Sequence, residues 1–193
     1  GSQFRIASYN VLGAIHTASY EGRMDKVIAN INSKDLKIDI VGFQEFERVQ
    51  RRYFMQHTTN FALYPSDVTS GQGENAIGWD KTKFKFVQGG MMPKLQYFGN
   101  GYSLDAPWVK LEDLSTGQQL YVLNTHDPAH DRDGYPKKRY ENALQHVVFT
   151  DSLKSTGLPV LFTGDFNSGY ELRFSGNSTY QDKAENLTYC IIT

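Results

Sequence analysis

Cysteine is almost absent. Cys190 is the only one in 193 residues, so the chain has neither an internal disulfide framework nor a cysteine-based zinc site. No apolar run reaches the length of a membrane-spanning helix, and no membrane span is expected. An excess of positive charge is also missing: twenty Lys and Arg against 21 Asp and Glu leave a formal charge of −1. That balance does not suit a domain that holds long nucleic acid chiefly through its phosphates. Internal repeats, low-complexity tracts and charge blocks are absent, so nothing marks a linker. The Gly-x-Ser-x-Gly elbow, the phosphate-binding P-loop and the dinucleotide glycine fingerprint are absent too, which removes the enzyme classes built on them. Asp131-Arg132-Asp133-Gly134 lacks the later glutamate of a calcium loop and reads as a surface turn. What is present, 39% hydrophobic and 21% charged residues, is ordinary for one core-forming domain, expected over residues 1–193.

Phe4–Leu12 reads as a first strand with apolar residues on both faces, as in a sheet covered on both sides. A helix is expected over Glu21–Asn32, where Met24, Val27, Ile28 and Ile31 recur at helical spacing. A second strand, Ile38–Gln44, precedes a helix over Phe46–His57, with Phe46, Val49, Tyr53 and Phe54 on its inner face and Arg48, Arg51 and Arg52 on a solvated one. Short strands follow at 61–64, 76–79 and 84–87. The segments 108–111 and 120–123 form a hairpin across Ser115-Thr116-Gly117-Gln118. A last helix follows Pro136, with Tyr140, Ala143, Leu144, Val147 and Val148 as its inner stripe. Pattern alone supports α/β with much antiparallel sheet.

The stretch around which the chain is organised is Leu161-Phe162-Thr163-Gly164-Asp165-Phe166-Asn167. An apolar run starting at Pro159 stops at a glycine, then delivers a carboxylate and a carboxamide, the pattern of a buried strand whose end is a ligand site. Three other strands end the same way: Ser8-Tyr9-Asn10-Val11-Leu12, Phe43-Gln44-Glu45 and Asn124-Thr125-His126. Glu45, a lone acid at the end of an apolar strand, suits a hard cation such as Mg²⁺, which prefers one or two carboxylates plus waters. Asn10 offers a neutral oxygen and an amide donor.

Taken in order, SYNVL, QE, NTH and GDFN resemble the motif series of the endonuclease/exonuclease/phosphatase superfamily, the DNase I-like metal-dependent phosphodiesterases. The resemblance runs from Phe4 to about Asn167. The phrasing of Phe4–Gly13, Val41–Glu45 and Glu74–Trp79 is similar to uncharacterised bacterial members, many of them exported. An extracellular or cell-envelope location in a bacterium is therefore expected, with the cytoplasm left open. The resemblance implies a four-layer αββα sandwich and the use of Mg²⁺ or Mn²⁺, with Glu45 and Asn10 as the metal residues. It also implies that Asp165 orients or deprotonates the attacking water, that Asn167 donates to the developing phosphorane, and that His126 contacts the scissile phosphate. Glu74 matches a position that is often acidic or amide-bearing and supports the site.

One departure stands against the family pattern. Only 26 residues follow Asn167, and they carry no histidine, whereas the family ends on a further aspartate and a terminal Asp-His. Leu187–Thr193 reads as a strand whose successor is missing, so the sandwich is expected to lack its C-terminal strands and the chain as given to be inactive or nearly so. Self-association through the open edge, or completion by a C-terminal piece, follows from the same reasoning. The function expected is divalent-metal-dependent hydrolysis of a phosphodiester or phosphomonoester. The alternative is a catalytically dead member or fragment serving as a binding or scaffold domain. Nucleic acid, phospholipid head groups and phosphorylated sugars are all open as substrates.

Overall fold

The computed structural model describes residues 3–67, 73–93, 105–127 and 135–167. The 131–134 turn and the 187–193 strand lie outside these residues. Two four-stranded sheets carry the chain. In one, β1 (Ile6–Asn10), β2 (Ile40–Gln44), β4 (Ala76–Asp80) and β3 (Phe61–Tyr64) lie side by side in that order. In the other the order is β5 (Phe84–Met91), β6 (Pro107–Asp113), β7 (Gln119–His126) and β8 (Val160–Asp165). Helices α1 (Tyr20–Ile31), α2 (Arg48–His57) and α3 (Tyr135–Lys154), with a short 3-10 turn at Ala14–His16, complete the described architecture.

Strand alternation divides the apolar residues among three layers. Val41 and Phe43 of β2 face Met24, Val27 and Ile31 of α1 and Phe54 of α2, whereas Ile40 turns the other way. Ile40, Ile77 and Trp79 meet Val109, Leu111, Leu120 and Val122 between the two sheets. Tyr121 and Leu123, on the far side of β7, pack with Phe149, Leu153, Val160 and Phe162, which brings α3 onto the second sheet. Helix, sheet, sheet, helix is the expected four-layer order.

Each sheet contains one parallel pair. β1 runs parallel to β2 with Asn10 opposite Gln44, and β7 runs parallel to β8 with His126 opposite Asp165. The two pairs face each other across the sandwich, because the Ser8 hydroxyl of β1 accepts from Gly164 N (3.1 Å) of β8. The carboxyl ends of all four strands therefore open at one edge, as in other sheets that hold ligands at strand ends.

Local differences from the sequence expectation have physical causes. β1 is shorter than Phe4–Leu12. β8 runs through Gly164 to Asp165 instead of leaving the sheet at the glycine. A Cβ on Gly164 would lie 2.9 Å from the Thr125 carbonyl oxygen, so its glycine serves a close approach of β7, not a turn. α2 begins at Arg48, and the Glu47–Gln50 capping box sets that start. Phe46 is buried ahead of the helix and Val49 is exposed. Arg51, read as part of a solvated face, is 1% exposed instead. Its Nη atoms donate to the carbonyls of Pro65 (2.6 Å) and Gly73 (3.1 Å), so the guanidinium ties the end of β3 to the approach to β4. In α3 the expected stripe is rotated: Leu144 and Val148 are exposed, while Arg139, Asn142, Ala143 and His146 face inward.

Candidate active site

The floor of the open edge is a buried polar plug between the sheets. Asn124 donates from Nδ2 to the carbonyls of Phe43 (2.7 Å) and Ala76 (3.1 Å), and its Oδ1 receives Gln44 Nε2 (2.7 Å). Thr163 donates to the Leu123 carbonyl (2.9 Å). All three side chains are buried, and hydrogen bonding is the condition on which polar groups are tolerated there. The plug fixes the two parallel pairs against each other and so sets the spacing of the residues above it.

Above the floor the structure brings together Asn10, Glu45, His126, Asp165 and Asn167, five positions from four strand ends. Asn10 is the central member. Its Nδ2 donates to Glu45 Oε1 (2.9 Å) and to Asp165 Oδ2 (3.1 Å), while its Oδ1 accepts from Leu12 N (3.0 Å). This orientation is dictated by charge: two carboxylates need the amide hydrogens, and the backbone N–H needs the oxygen. Glu45 Oε2 accepts from Gly13 N (3.0 Å). Asp165 Oδ1 accepts from Asn167 N (3.1 Å), and its Oδ2 lies 3.9 Å from His126 Nε2. Asn167 spends one amide hydrogen on the Asp127 carbonyl (2.7 Å), which leaves the other to a ligand.

Backbone strain concentrates here. Among the described non-glycine residues, positive φ occurs at Leu12 (64°), Lys37 (47°), Glu45 (53°) and Asn167 (47°). Two of the four are site residues, and Leu12 is the residue whose N–H fixes Asn10. Left-handed conformations at such residues cost on the order of 1 kcal/mol and persist where the surroundings enforce them.

Charge in the site is uneven. Burial pushes the Glu45 carboxyl up, but the hydrogen bonds from Asn10 and Gly13 N, with His126 and His16 nearby, outweigh it and hold the group below its usual range. Glu74 goes the other way: burial first, then Glu47 and Glu45, push it up. Glu74 is held beside the other two because its carbonyl accepts from Phe46 N (2.7 Å).

Several contributing residues escaped the sequence reading. Gln50, fully buried, donates to the Leu12 carbonyl (2.7 Å) and accepts from Ala14 N (3.2 Å), tying the loop after β1 to the start of α2. Capping-box spacing from Glu47 was the available signal. Asp127 and His146 carried none, since a residue after a motif histidine and a polar residue in a helix have no distinctive spacing.

The donor set fits a hard divalent cation at Glu45. Each of its oxygens accepts one hydrogen bond and retains a further lone-pair site, and the neighbouring Glu47 and Glu74 add negative charge. Among the described residues no three His, Cys, Asp or Glu side chains are grouped to enclose a metal. An open site with one carboxylate and several waters is the coordination Mg²⁺ prefers. Asn10 aligns Glu45 through Nδ2, and its Oδ1, which accepts from Leu12 N, likewise keeps a second lone pair.

Residues 7–184 match the family described as endonuclease/exonuclease/phosphatase. No curated protein matches the sequence. The fold is similar to that of an endonuclease/exonuclease/phosphatase family protein from Bacteroides thetaiotaomicron, with a TM-score of 0.69 at 21% identity over 98% of this chain and 67% of that one. It is similar to the mannosyl-6-phosphatase of B. thetaiotaomicron VPI-5482, with TM-score 0.67, 21% identity and coverage of 95% and 70%. The D. rerio TDP2 structure complexed with a single strand DNA product gives TM-score 0.66, 19% identity and coverage of 89% and 62%. The chain spans about two thirds of the length of these proteins.

Proposed function

Because the chain belongs to the endonuclease/exonuclease/phosphatase family, we propose that it is a divalent-metal-dependent phosphoesterase whose site comprises Asn10, Glu45, His126, Asp165 and Asn167. The observation that carries this reading is the Asn10 amide bridging Glu45 and Asp165 at 2.9 Å and 3.1 Å. Two carboxylates from different sheets are held beside each other by a neutral donor, one set for a cation and one for a water.

Phosphate esters resist attack because their oxygens are negative. A catalyst needs positive charge at those oxygens, an oriented water and a stabilised leaving oxygen. Glu45 is the residue to hold Mg²⁺ or Mn²⁺, which would supply Lewis-acid charge at the phosphoryl group. Asp165 accepts the proton of the attacking water: Asn167 N holds its Oδ1 and Asn10 Nδ2 its Oδ2, and each oxygen keeps a further lone pair for the nucleophile. His126 Nε2, 3.9 Å from that oxygen, donates to the phosphate. Asn167 offers its second amide hydrogen to the developing charge on phosphorus-bound oxygen. Similar folds occur in a phosphatase acting on a mannosyl-6-phosphate and in a protein bound to single strand DNA, so both phosphomonoesters and phosphodiesters fall within the proposal.

The test is hydrolysis of bis-p-nitrophenyl phosphate and p-nitrophenyl phosphate by the full-length protein with Mg²⁺ or Mn²⁺. Turnover that disappears in EDTA and in Glu45→Ala supports the reading. Turnover that survives excess EDTA overturns the metal role, and no turnover of either ester under any metal favours the binding-domain alternative.

A further inference from the structure

Behind the candidate site lies a buried polar pair that the proposed chemistry does not use. Asp127, 0% exposed, follows His126 directly, and His146, 1% exposed, reaches it from α3 with Nε2 3.5 Å from Asp127 Oδ1. We propose that His146 is a positioning residue that acts through Asp127 on Asn167 and Asp165. The inference rests on the phosphoesterase reading for its consequence and on the geometry below for its existence.

The peptide of Asp127 is a junction. Its N–H donates to the Asp165 carbonyl (2.8 Å), and its carbonyl accepts from Asn167 Nδ2 (2.7 Å). Its side-chain Oδ1 faces His146 Nε2 (3.5 Å) and the Thr125 hydroxyl (3.4 Å). A movement of Asp127 is thereby transmitted to His126 through the chain and to Asp165 and Asn167 through hydrogen bonds. His146 has a second route to the same segment: its ring meets Phe162 edge-on with centroids 5.1 Å apart, and Phe162 meets Phe166, between Asp165 and Asn167, at 5.5 Å.

Packing alone does not account for the pair. α3 docks through its apolar Phe149 and Leu153, but the turns before them bury Arg139, Asn142 and His146 beside Ala143. A helix docked only for burial would present apolar side chains there, because a buried carboxylate facing an imidazole offers stability no better than an apolar pair of the same volume. The polar stripe instead ends on the peptide that holds two of the proposed site residues. The arrangement matches that by which partners outside a reaction centre hold its ligands in orientation, whose removal costs about 10–100-fold in activity.

The Asn167 side-chain amide can be followed by ¹⁵N NMR without substrate or metal. His146→Ala is expected to move its two proton resonances toward those of a solvated carboxamide and to speed their exchange. His146→Gln, which keeps a donor, is expected to move them less. Should the alanine variant not fold, His146→Phe keeps the bulk, removes the donor and gives the same reading. An Asn167 amide unchanged in the donor-lacking variant overturns the proposal. In turnover of bis-p-nitrophenyl phosphate, His146→Ala is expected to lower kcat roughly 10-fold with KM unchanged. That loss should shrink in an Asn167→Ala background, where only the route to Asp165 remains; equal losses in both backgrounds overturn the proposal, because a general structural defect is additive. If the unmodified protein turns over nothing, the functional reading fails and the amide spectrum alone decides the link.

Discussion

Gly42 of β2 and Thr163 of β8 approach each other across the two sheets so closely that a Cβ on the glycine would lie 1.9 Å from the Thr163 hydroxyl. The same Cβ would lie 2.6 Å from Asn124 Oδ1. The polar plug beneath the site thus depends on a position without a side chain. Gly42→Ala is expected to destabilise the protein by about 2–3 kcal/mol, the upper range for overpacking a filled interior. Urea unfolding with an unchanged m-value measures it. A variant as stable as the parent would show that the sheets separate without cost.

Asn10 is the most exacting position of the site because both hydrogens of its amide are committed to carboxylates. Asn10→Ala leaves Glu45 and Asp165 without their shared donor, and Asn10→Asp adds a third negative charge between them. Either change is expected to lower kcat by ~10²–10³, the usual effect of losing one electrostatic partner at a reacting centre. Asn10 is only half-buried, so unfolding midpoints should move little. Near-normal kcat in Asn10→Asp would remove Asn10 from the mechanism.

Arg51 contributes to stability in a way its sequence context conceals. Burial lowers its pKa to about 10, against weak support from Asp67 and Asp105, yet its Nη atoms still satisfy the carbonyls of Pro65 and Gly73. Arg51→Met fills the volume and strands those acceptors, at ~1–3 kcal/mol for each buried group left unpaired. Arg51→Lys is expected to recover only part, since one ammonium cannot reproduce the planar fork. Thermal unfolding of the two variants tests this, and full recovery in Arg51→Lys would show that charge alone matters.

How much was readable in advance depended on whether a residue's role was local. Strands and helices with apolar periodicity, such as Met24, Val27 and Ile31 of α1, were legible because burial writes its period into the sequence. Asn10, Glu45, His126, Asp165 and Asn167 were legible because each sits at the end of an apolar strand, where polarity changes abruptly. Arg51 and the α3 stripe were not. Arg51 is buried against backbone carbonyls and His146 against Asp127, so periodicity points the wrong way: Leu144 and Val148 look like an inner face, and Asn142 and His146 occupy it. Nor does any sequence spacing announce that Asp127 O would hold Asn167 from 40 positions away.

Glu74 and Glu45 should make opposite contributions to stability as pH changes. Burial, Glu47 and Glu45 raise the Glu74 carboxyl above its ordinary value of 4.5, so the folded state binds its proton more tightly than the unfolded chain does. Below the unfolded value the proton is held in both states and the stability is fully present. As pH rises through the folded value that stability is lost, and at neutral pH an ionised Glu74 opposes folding. For Glu45 the folded value is lowered, so its contribution is present above the unfolded value and lost as pH falls through the folded one. In metal-free protein Glu74→Gln is therefore expected to raise Tm at pH 7, with the gain shrinking to nothing as pH drops below 4.5. Glu45→Gln is expected to lower Tm at pH 7, with the loss likewise disappearing in acid. Added Mg²⁺ should stabilise the parent and Glu74→Gln by binding the folded state, and leave Glu45→Gln almost unmoved. A Glu74→Gln variant less stable than the parent at pH 7 would mean that its carboxylate is paired favourably in solution, and would take it out of the acidic group beside Glu45.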